Sequence, residues 1–511
     1  MIRFRGRSVI ALAGVLLAAS PSGGAEDPLA RRTYANADQL MREGKVEQAL
    51  KEFEQVANAY PESDVADDAL YRMGAHYYPA ESIDKLGGAP PASLKQAKEF
   101  FTKITARYPR EDTAPRALLK LGLIAMDPAN PERNLDEAYA SFSGVVNIHP
   151  GSDVVDRALL GAGYADFLAA RYDKAIGSFV RAAEEYPRGP AASDARYYMG
   201  LAHARQGAYV RAMEELQLGR DLYPQAPVAE RSFDLVTRLF KMKMLPEVGG
   251  KRLFEHDPAF APVLDPAVMG ARISLAVDSD GVIHLLDLNA GALVKLGSDG
   301  KSSGKGTSMP GARSIAIDAA DQELIAAGTR FRAGAAMVAP TRQKGAQTEP
   351  FESINAAAGM AAGVIALLDE EENEILLYTG DPAKLKTLYR DPEGRVRMTG
   401  LALGAEGNLY TIDRRGRRVL EIRPNGNARA IASTALQEPA ALAANDLGEL
   451  FVLDRRARSI VVMTAEGKTL ETIVSQPATP GEFSEPTALA VGPRAEIYVH
   501  DAKRRTIVRF H

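Results

Sequence analysis

Cysteine is absent from this sequence, which excludes disulfides, thiol catalysis and a lipid-modified cysteine behind an export signal. A charge excess of one sign is also missing. The 62 Lys and Arg residues against 66 Asp and Glu leave a formal charge of −4, so only local clustering of charge can point to a partner. Motifs of catalysis are scarce as well. The seven histidines, at 76, 149, 203, 256, 284, 500 and 511, show no HExxH spacing, and no GxSxG elbow or phosphate-binding loop occurs. His500-Asp501 is a lone pair on one predicted strand.

What is present begins with a basic, then apolar, start. Arg3, Arg5 and Arg7 precede the apolar run Val9–Ala19, which falls short of the roughly 20 residues a spanning helix needs. Ser20–Ala25 then supplies small residues, with Gly23 and Ala25 at the −3 and −1 positions of a cleavage site. Residues 1–25 therefore read as a signal peptide, and its arginines are not adjacent, as a twin-arginine signal requires. The expected location is the periplasm, with no membrane span after cleavage. The remaining length exceeds one ordinary core, so at least two domains are expected in this 511-residue chain.

Residues 28–245 carry a helical pattern with breaks at an aromatic residue or His followed by Pro. These are Tyr60-Pro61, Tyr108-Pro109, His149-Pro150, Tyr186-Pro187 and Tyr223-Pro224. Ala49, Ala97, Ala138, Ala175 and Ala212 precede each Pro by twelve residues, and Phe53, Phe101, Phe142, Phe179 and Leu216 follow four residues after each Ala. A second ladder pairs Ala69 with Gly74, Ala117 with Gly122, Ala158 with Gly163 and Ala195 with Gly200. Small residues let antiparallel helices approach, the aromatic fills the groove, and Pro stops the second helix. The segments Tyr78–Ala92 and Asp127–Pro131 read as insertions, and Val228–Met244 as a capping helix.

Residues 246–271 form a linker rich in Pro, Gly and charge, after which the period changes to alternation. From 272 to 511 six short units recur, each with a second strand that ends at Asp287, Gly328, Asp369, Asp413, Asp454 or Asp501. Units of this size, each a small antiparallel sheet, fit a propeller closed radially so that its sheet edges are hidden. The last unit stops after its third strand, so Lys251–Phe254 or a neighbouring linker stretch is expected to supply the fourth. The fold class is thus an all-α solenoid followed by an all-β six-bladed propeller.

The Ala-x3-Phe and terminal Pro signature resembles the tetratricopeptide repeat, and the Tyr-Pro ends are similar to those of the periplasmic BamD and CpoB types. The pattern LALGAEGNLYTIDRRGRRVLEI, with its copies from Leu442 and Leu489, resembles the NHL repeat. Pro310, Pro439 and Pro486 stand before first strands as in that family. The first resemblance implies a concave groove lined by the first helix of each pair, where Arg72, Lys120, Arg196, Tyr197 and His203 are candidate peptide-binding residues.

The Asp ending each second strand reads as a turn cap, since it repeats at equivalent sites. The turns that follow are basic in three successive units. Arg414, Arg415, Arg417 and Arg418 stand in the fourth, Arg455, Arg456 and Arg458 in the fifth, and Lys503, Arg504 and Arg505 in the sixth. The third instead carries Glu370, Glu371, Glu372 and Glu374 behind Asp369. All these turns share one rim, which is expected to be bipolar and to bind an anionic surface. No catalytic residue, metal ligand or cofactor is assigned. The expected function is an exported, non-catalytic scaffold that binds one or more proteins, with an anionic envelope component as a further candidate and no nucleic acid. The alternative is a propeller hydrolase of the calcium-dependent lactonase kind, for which Asp278 and Asp318, at the ends of first strands, would face the central channel.

Overall fold

A glycine facing an aromatic ring is the recurring joint of the helical half. The computed structural model describes residues 27–511 apart from 87–90, 128–129, 131, 246–251, 261, 263–269, 303–305, 319–322, 334–335, 345–346, 351–352, 361–363, 380–384, 432–435 and 476–481. The segment read as a signal peptide thus lies outside the described residues. Eleven α-helices run through the first half of the described chain: α1 (Pro28–Arg42), α2 (Val46–Ala59), α3 (Ala66–Tyr77), α4 (Pro91–Arg107), α5 (Thr113–Met126), α6 (Leu135–Ile148), α7 (Val155–Leu168), α8 (Tyr172–Glu185), α9 (Ala192–Arg205), α10 (Tyr209–Leu222) and α11 (Val228–Leu239). No helix among them is long and apolar enough to cross a membrane.

The chain forms two packed units, one ending at Pro79 and taking in Ala92–Lys120, the other comprising Ala80–Pro91 and Leu121–His511. In the first, the Asp27 carboxylate caps α1 by accepting from the Leu29 N–H at 2.9 Å. A Cβ on Gly74 of α3 would stand 2.8 Å from the Phe101 ring of α4, so no larger residue fits between these helices. The Tyr108 hydroxyl donates to the Pro61 carbonyl at 2.7 Å, joining two successive helix ends.

The second unit repeats both devices. Gly122 and Gly161 hold the two faces of the Phe142 ring, Gly163 meets Phe179, and Gly200 meets Leu216, each within 2.7 Å of where a Cβ would stand. Tyr223 donates to the Pro187 carbonyl at 2.9 Å.

Six sheets follow. Their inner strands are Ile273–Val277, Ser314–Ile317, Ile354–Gly359, Met398–Leu403, Pro439–Ala444 and Pro486–Val491. Each packs beside the next, and the last beside the first, closing a ring. Strands within every sheet run in chain order and antiparallel. Pro439 and Pro486 begin their strands, where the missing N–H costs no ladder bond. The second strands Ile283–Asp287, Leu409–Asp413 and Glu449–Asp454 are buried along their whole length, because a neighbouring blade covers each face. The second blade carries an added hairpin, Thr341–Lys344 with Gln347–Pro350, that the sequence pattern does not announce.

The sixth sheet has three strands of its own. The Glu255 N–H donates to the His511 carbonyl and the His511 N–H to the Glu255 carbonyl, both at 2.9 Å, while the Asp257 N–H donates to Arg509. Residues 255–257 of the linker thus run antiparallel along the final strand, Thr506–Phe510. Lys251 lies outside the described residues, and Leu253 and Phe254 contribute side chains to the core of the last two blades.

Antiparallel topology fixes which turns share a face. Turns between first and second strands lie at one end of the ring, and turns between second and third strands at the other. Helix α11 and the turn that follows it pack on the first of these faces. Arg238 of α11 pairs with Asp446 at 2.9 Å. Lys243, on the π-helical turn Phe240–Met244, bonds the Leu447 carbonyl at 3.0 Å and pairs with Glu449. Lys241 reaches the Ala495 carbonyl, Arg494 pairs with Asp234, and Met242 enters the apolar core of blades five and six beside Phe254 and Phe483.

Candidate functional site

The rim opposite α11 is built from one turn design. Asp454, fully buried, accepts from the Glu438 N–H at 2.9 Å and from the Ala457 N–H at 2.8 Å. Asp501 accepts from Ser484 at 2.8 Å and Lys503 at 3.0 Å, and Asp413 accepts from Arg397 at 3.1 Å. Asp287 and Asp369 bind the two amides of their own turns in the same way. Each carboxylate staples its turn to the loop that enters the blade, and its oxygens are taken up by that work. They are structural groups.

This leaves the turn cations largely uncompensated. Three of the ten find partners: Arg418 bonds Asp413 at 3.0 Å, Arg455 bonds Glu438 at 3.1 Å, and Arg504 pairs with Glu482. Arg414, Arg415, Arg417, Arg456, Arg458, Lys503 and Arg505 are exposed and make no ion pair among the described residues. A hollow of 430 Å³ between blades four and five is walled by Arg414, Arg417, Arg455 and Arg456. Beyond blade four the sign reverses. Glu371 is exposed, Glu372 is exposed and pairs with Arg390 at 3.7 Å, Glu370 accepts from the Thr399 hydroxyl at 2.7 Å, and Glu374 is buried against Arg390 at 2.8 Å. The turns therefore carry opposite charge on adjacent blades.

The helix-covered mouth of the channel holds a cavity of 470 Å³, lined by Tyr197, Arg231 and Arg238 from the helices and by Asp278, Asp318 and Asn445 from the blades. Asp278 does reach this cavity, but it is committed. It accepts from the Val282 N–H at 2.8 Å and holds His284 Nε2 at 2.9 Å, while His284 Nδ1 meets Glu323 at 3.1 Å. Both ring nitrogens of this buried histidine are occupied, and the chain of three links blades one and two. Burial would raise the Glu323 carboxyl, but Lys295, His284 and Arg332 together hold it below the usual range. Among the described residues, the one group of three carboxylates close enough to share a metal lies elsewhere, at Asp67, Asp68 and Asp112 of the first unit. Burial and then Asp67 push the Asp68 carboxyl up to about 6.

Of the five residues assigned to a helical groove, three lie in the interior. Lys120 is fully buried and donates to the Tyr78 carbonyl at 3.3 Å. Arg196 is buried against Glu215 at 2.6 Å, and Tyr197 packs under the Arg231 guanidinium, 4.8 Å from its ring centre. These three serve the interior because the small residues that flank them let the next helix close over them. Arg72 is half-exposed and pairs with Asp38. His203 is half-buried, and burial lowers its pKa. The role of α11 against the propeller went unforeseen; its Arg231, Asp234, Leu235 and Arg238, facing one way at helical spacing, were the available signal.

A family model described as tetratricopeptide repeat matches residues 36–63. No curated protein sequence matches the chain. Among solved structures, a streptogramin B lyase is similar at 12% identity over 50% of this chain and 97% of that one, with a TM-score of 0.38. A gluconolactonase from Xanthomonas campestris is similar at 13% identity over 50% of this chain and 97% of its own, with a TM-score of 0.37. The MamA protein is similar at 16% identity over 38% of this chain and 92% of that chain, with a TM-score of 0.30. With the ring of six sheets described above, the chain combines a tetratricopeptide repeat match with a six-bladed β-propeller.

Proposed function

We propose that this protein is an exported, non-catalytic scaffold of the cell envelope that binds partners through two separate surfaces. The observation that carries this reading is the set of seven exposed cations, without an ion pair among the described residues, on three consecutive turns of the face opposite α11. Isolated surface charges contribute little, but a cluster creates a field that steers and orients a partner. The helical units supply the second surface, in keeping with the likeness to BamD- and CpoB-type repeats, and the propeller with that to NHL repeats. Binding at both surfaces raises the effective concentration of each partner for the other. Capture of Asp278 by His284 and backbone amides supports the non-catalytic part of the reading.

The test is crosslinking in the intact envelope with the chain carrying Arg414, Arg415, Arg417 and Arg456 changed to Ser. Loss of a specific protein partner from a variant that still folds supports the rim as a docking surface. An unchanged set of crosslinked partners removes it.

A further inference from the structure

The fourth position of the rim turn adopts the left-handed backbone in blade after blade. Gly291 in the first blade has φ 59° and Asn373 in the third has φ 55°. Glycine and asparagine are the residues that tolerate this region best. Asn373 also works structurally there: its Nδ2 donates to the Val396 carbonyl at 2.9 Å and its Oδ1 accepts from the Met398 N–H at 2.8 Å, tying blade three to blade four. In blades four, five and six the same position is Arg417, Arg458 and Arg505, with φ of 51°, 47° and 51°. All three are exposed, and none makes an ion pair among the described residues. These blades therefore accept backbone strain, and forgo the asparagine staple, to display one guanidinium each. Strain kept where a relaxed residue serves equivalent positions points to function.

Next to this arc the acidic turn of blade three sets its boundary. A polyanion of uniform charge, such as a nucleic acid strand or an anionic membrane plane, is attracted by blades four to six and repelled by Glu371 and Glu372. A protein segment can change sign along its length. We infer that the rim binds an extended protein segment in which an acidic run adjoins a basic one, the acidic run lying on Arg417, Arg458 and Arg505 and the basic end on the glutamates of blade three. This deepens the scaffold reading and rests on it.

The probes are two labelled peptides, an oligoglutamate with an oligolysine tail and the same oligoglutamate with an oligoserine tail. Binding is followed by fluorescence anisotropy with the whole chain, and the variants are R417N/R458N/R505N and E371Q/E372Q. The lysine-tailed peptide is expected to bind more tightly than the serine-tailed one. The triple variant should lose affinity by about tenfold while its melting temperature holds or rises, because Asn suits the left-handed backbone. The glutamine variant should remove the difference between the peptides. Equal binding of both peptides by the unaltered chain, with loss in the triple variant, overturns the two-sign segment but keeps a cationic docking surface for an acidic one. Unaltered binding in the triple variant, or no binding of either peptide, overturns both.

Discussion

The Arg509 guanidinium on the last strand bonds the carboxylate of Asp257 in the linker, Nε to Oδ2 at 2.8 Å. Arg509 also stacks 4.6 Å from the Phe260 ring centre and donates to the Ser298 carbonyl of blade one at 2.6 Å. One side chain therefore joins the two edges where the ring closes.

Asp257→Ala should cost about 2 kcal/mol in denaturant unfolding. Burial would raise the Asp257 carboxyl, but its bond to Arg509 outweighs this and holds it below the ordinary value. A depressed carboxylate stabilises the fold above its unfolded pKa, and that contribution disappears as pH falls through the folded one. The variant should thus lose its disadvantage in strong acid. An equal deficit at neutral and strongly acidic pH would count against the ion pair as the cause.

Lys243 is paired with Glu449, which is 0% exposed. Lys243→Met should cost about 3 kcal/mol, because it leaves a buried carboxylate without compensation. The double change Lys243→Met with Glu449→Leu should recover most of that loss. A double variant as unstable as the single one would show that the lysine acts through its bond to the Leu447 carbonyl and not through the buried carboxylate.

Gly163→Ala places a methyl group 2.5 Å from the Phe179 ring. Overfilling of this kind should cost about 2 kcal/mol, and adding Phe179→Leu should restore part of it. Thermal melting of the three variants measures the coupling.

His500 is 0% exposed, with Nδ1 2.6 Å from the Thr487 hydroxyl. Burial holds its pKa down to about 4, below the ordinary imidazole value of 6.5. Between those values the unfolded chain takes up a proton that the folded chain refuses, so stability falls as the solution is acidified through that range. His500→Leu, which places at this position the residue found at Leu286, Leu368 and Leu453 of other blades, should reduce the loss between about pH 7 and about pH 5 by about 2 kcal/mol. Equal slopes of stability against pH in the two proteins would refute the assignment.

The repeat architecture was legible because its joints are local. An Ala-x3-Phe step and a Gly ladder record helix approach directly in sequence, and an Asp ending each second strand records the turn. The rim cations were legible for the same reason. Burial of Lys120, Arg196 and Tyr197 was not, since a long polar side chain on a small-residue face reads the same whether water or the next helix covers it. The union of Arg238 with Asp446 was hidden by distance along the chain: no local pattern announces which propeller face a helix will meet. The left-handed arginines were hidden too, because φ is not written in residue type when Gly or Asn is absent.

The mutual bonds between Glu255 and His511 set an order of events in time. Helix pairs join neighbours in sequence and form as soon as the chain supplies them. The ring has no such freedom, for its last strand must find a segment preceding all six blades, and closing so long a loop is entropically slow. Until then the final strand, Thr506–Phe510, exposes its unpaired ladder edge to other chains. Refolding should accordingly be biphasic, with helical signal recovered early and protection of the Glu255 and His511 amides last, and aggregation confined to the interval between them.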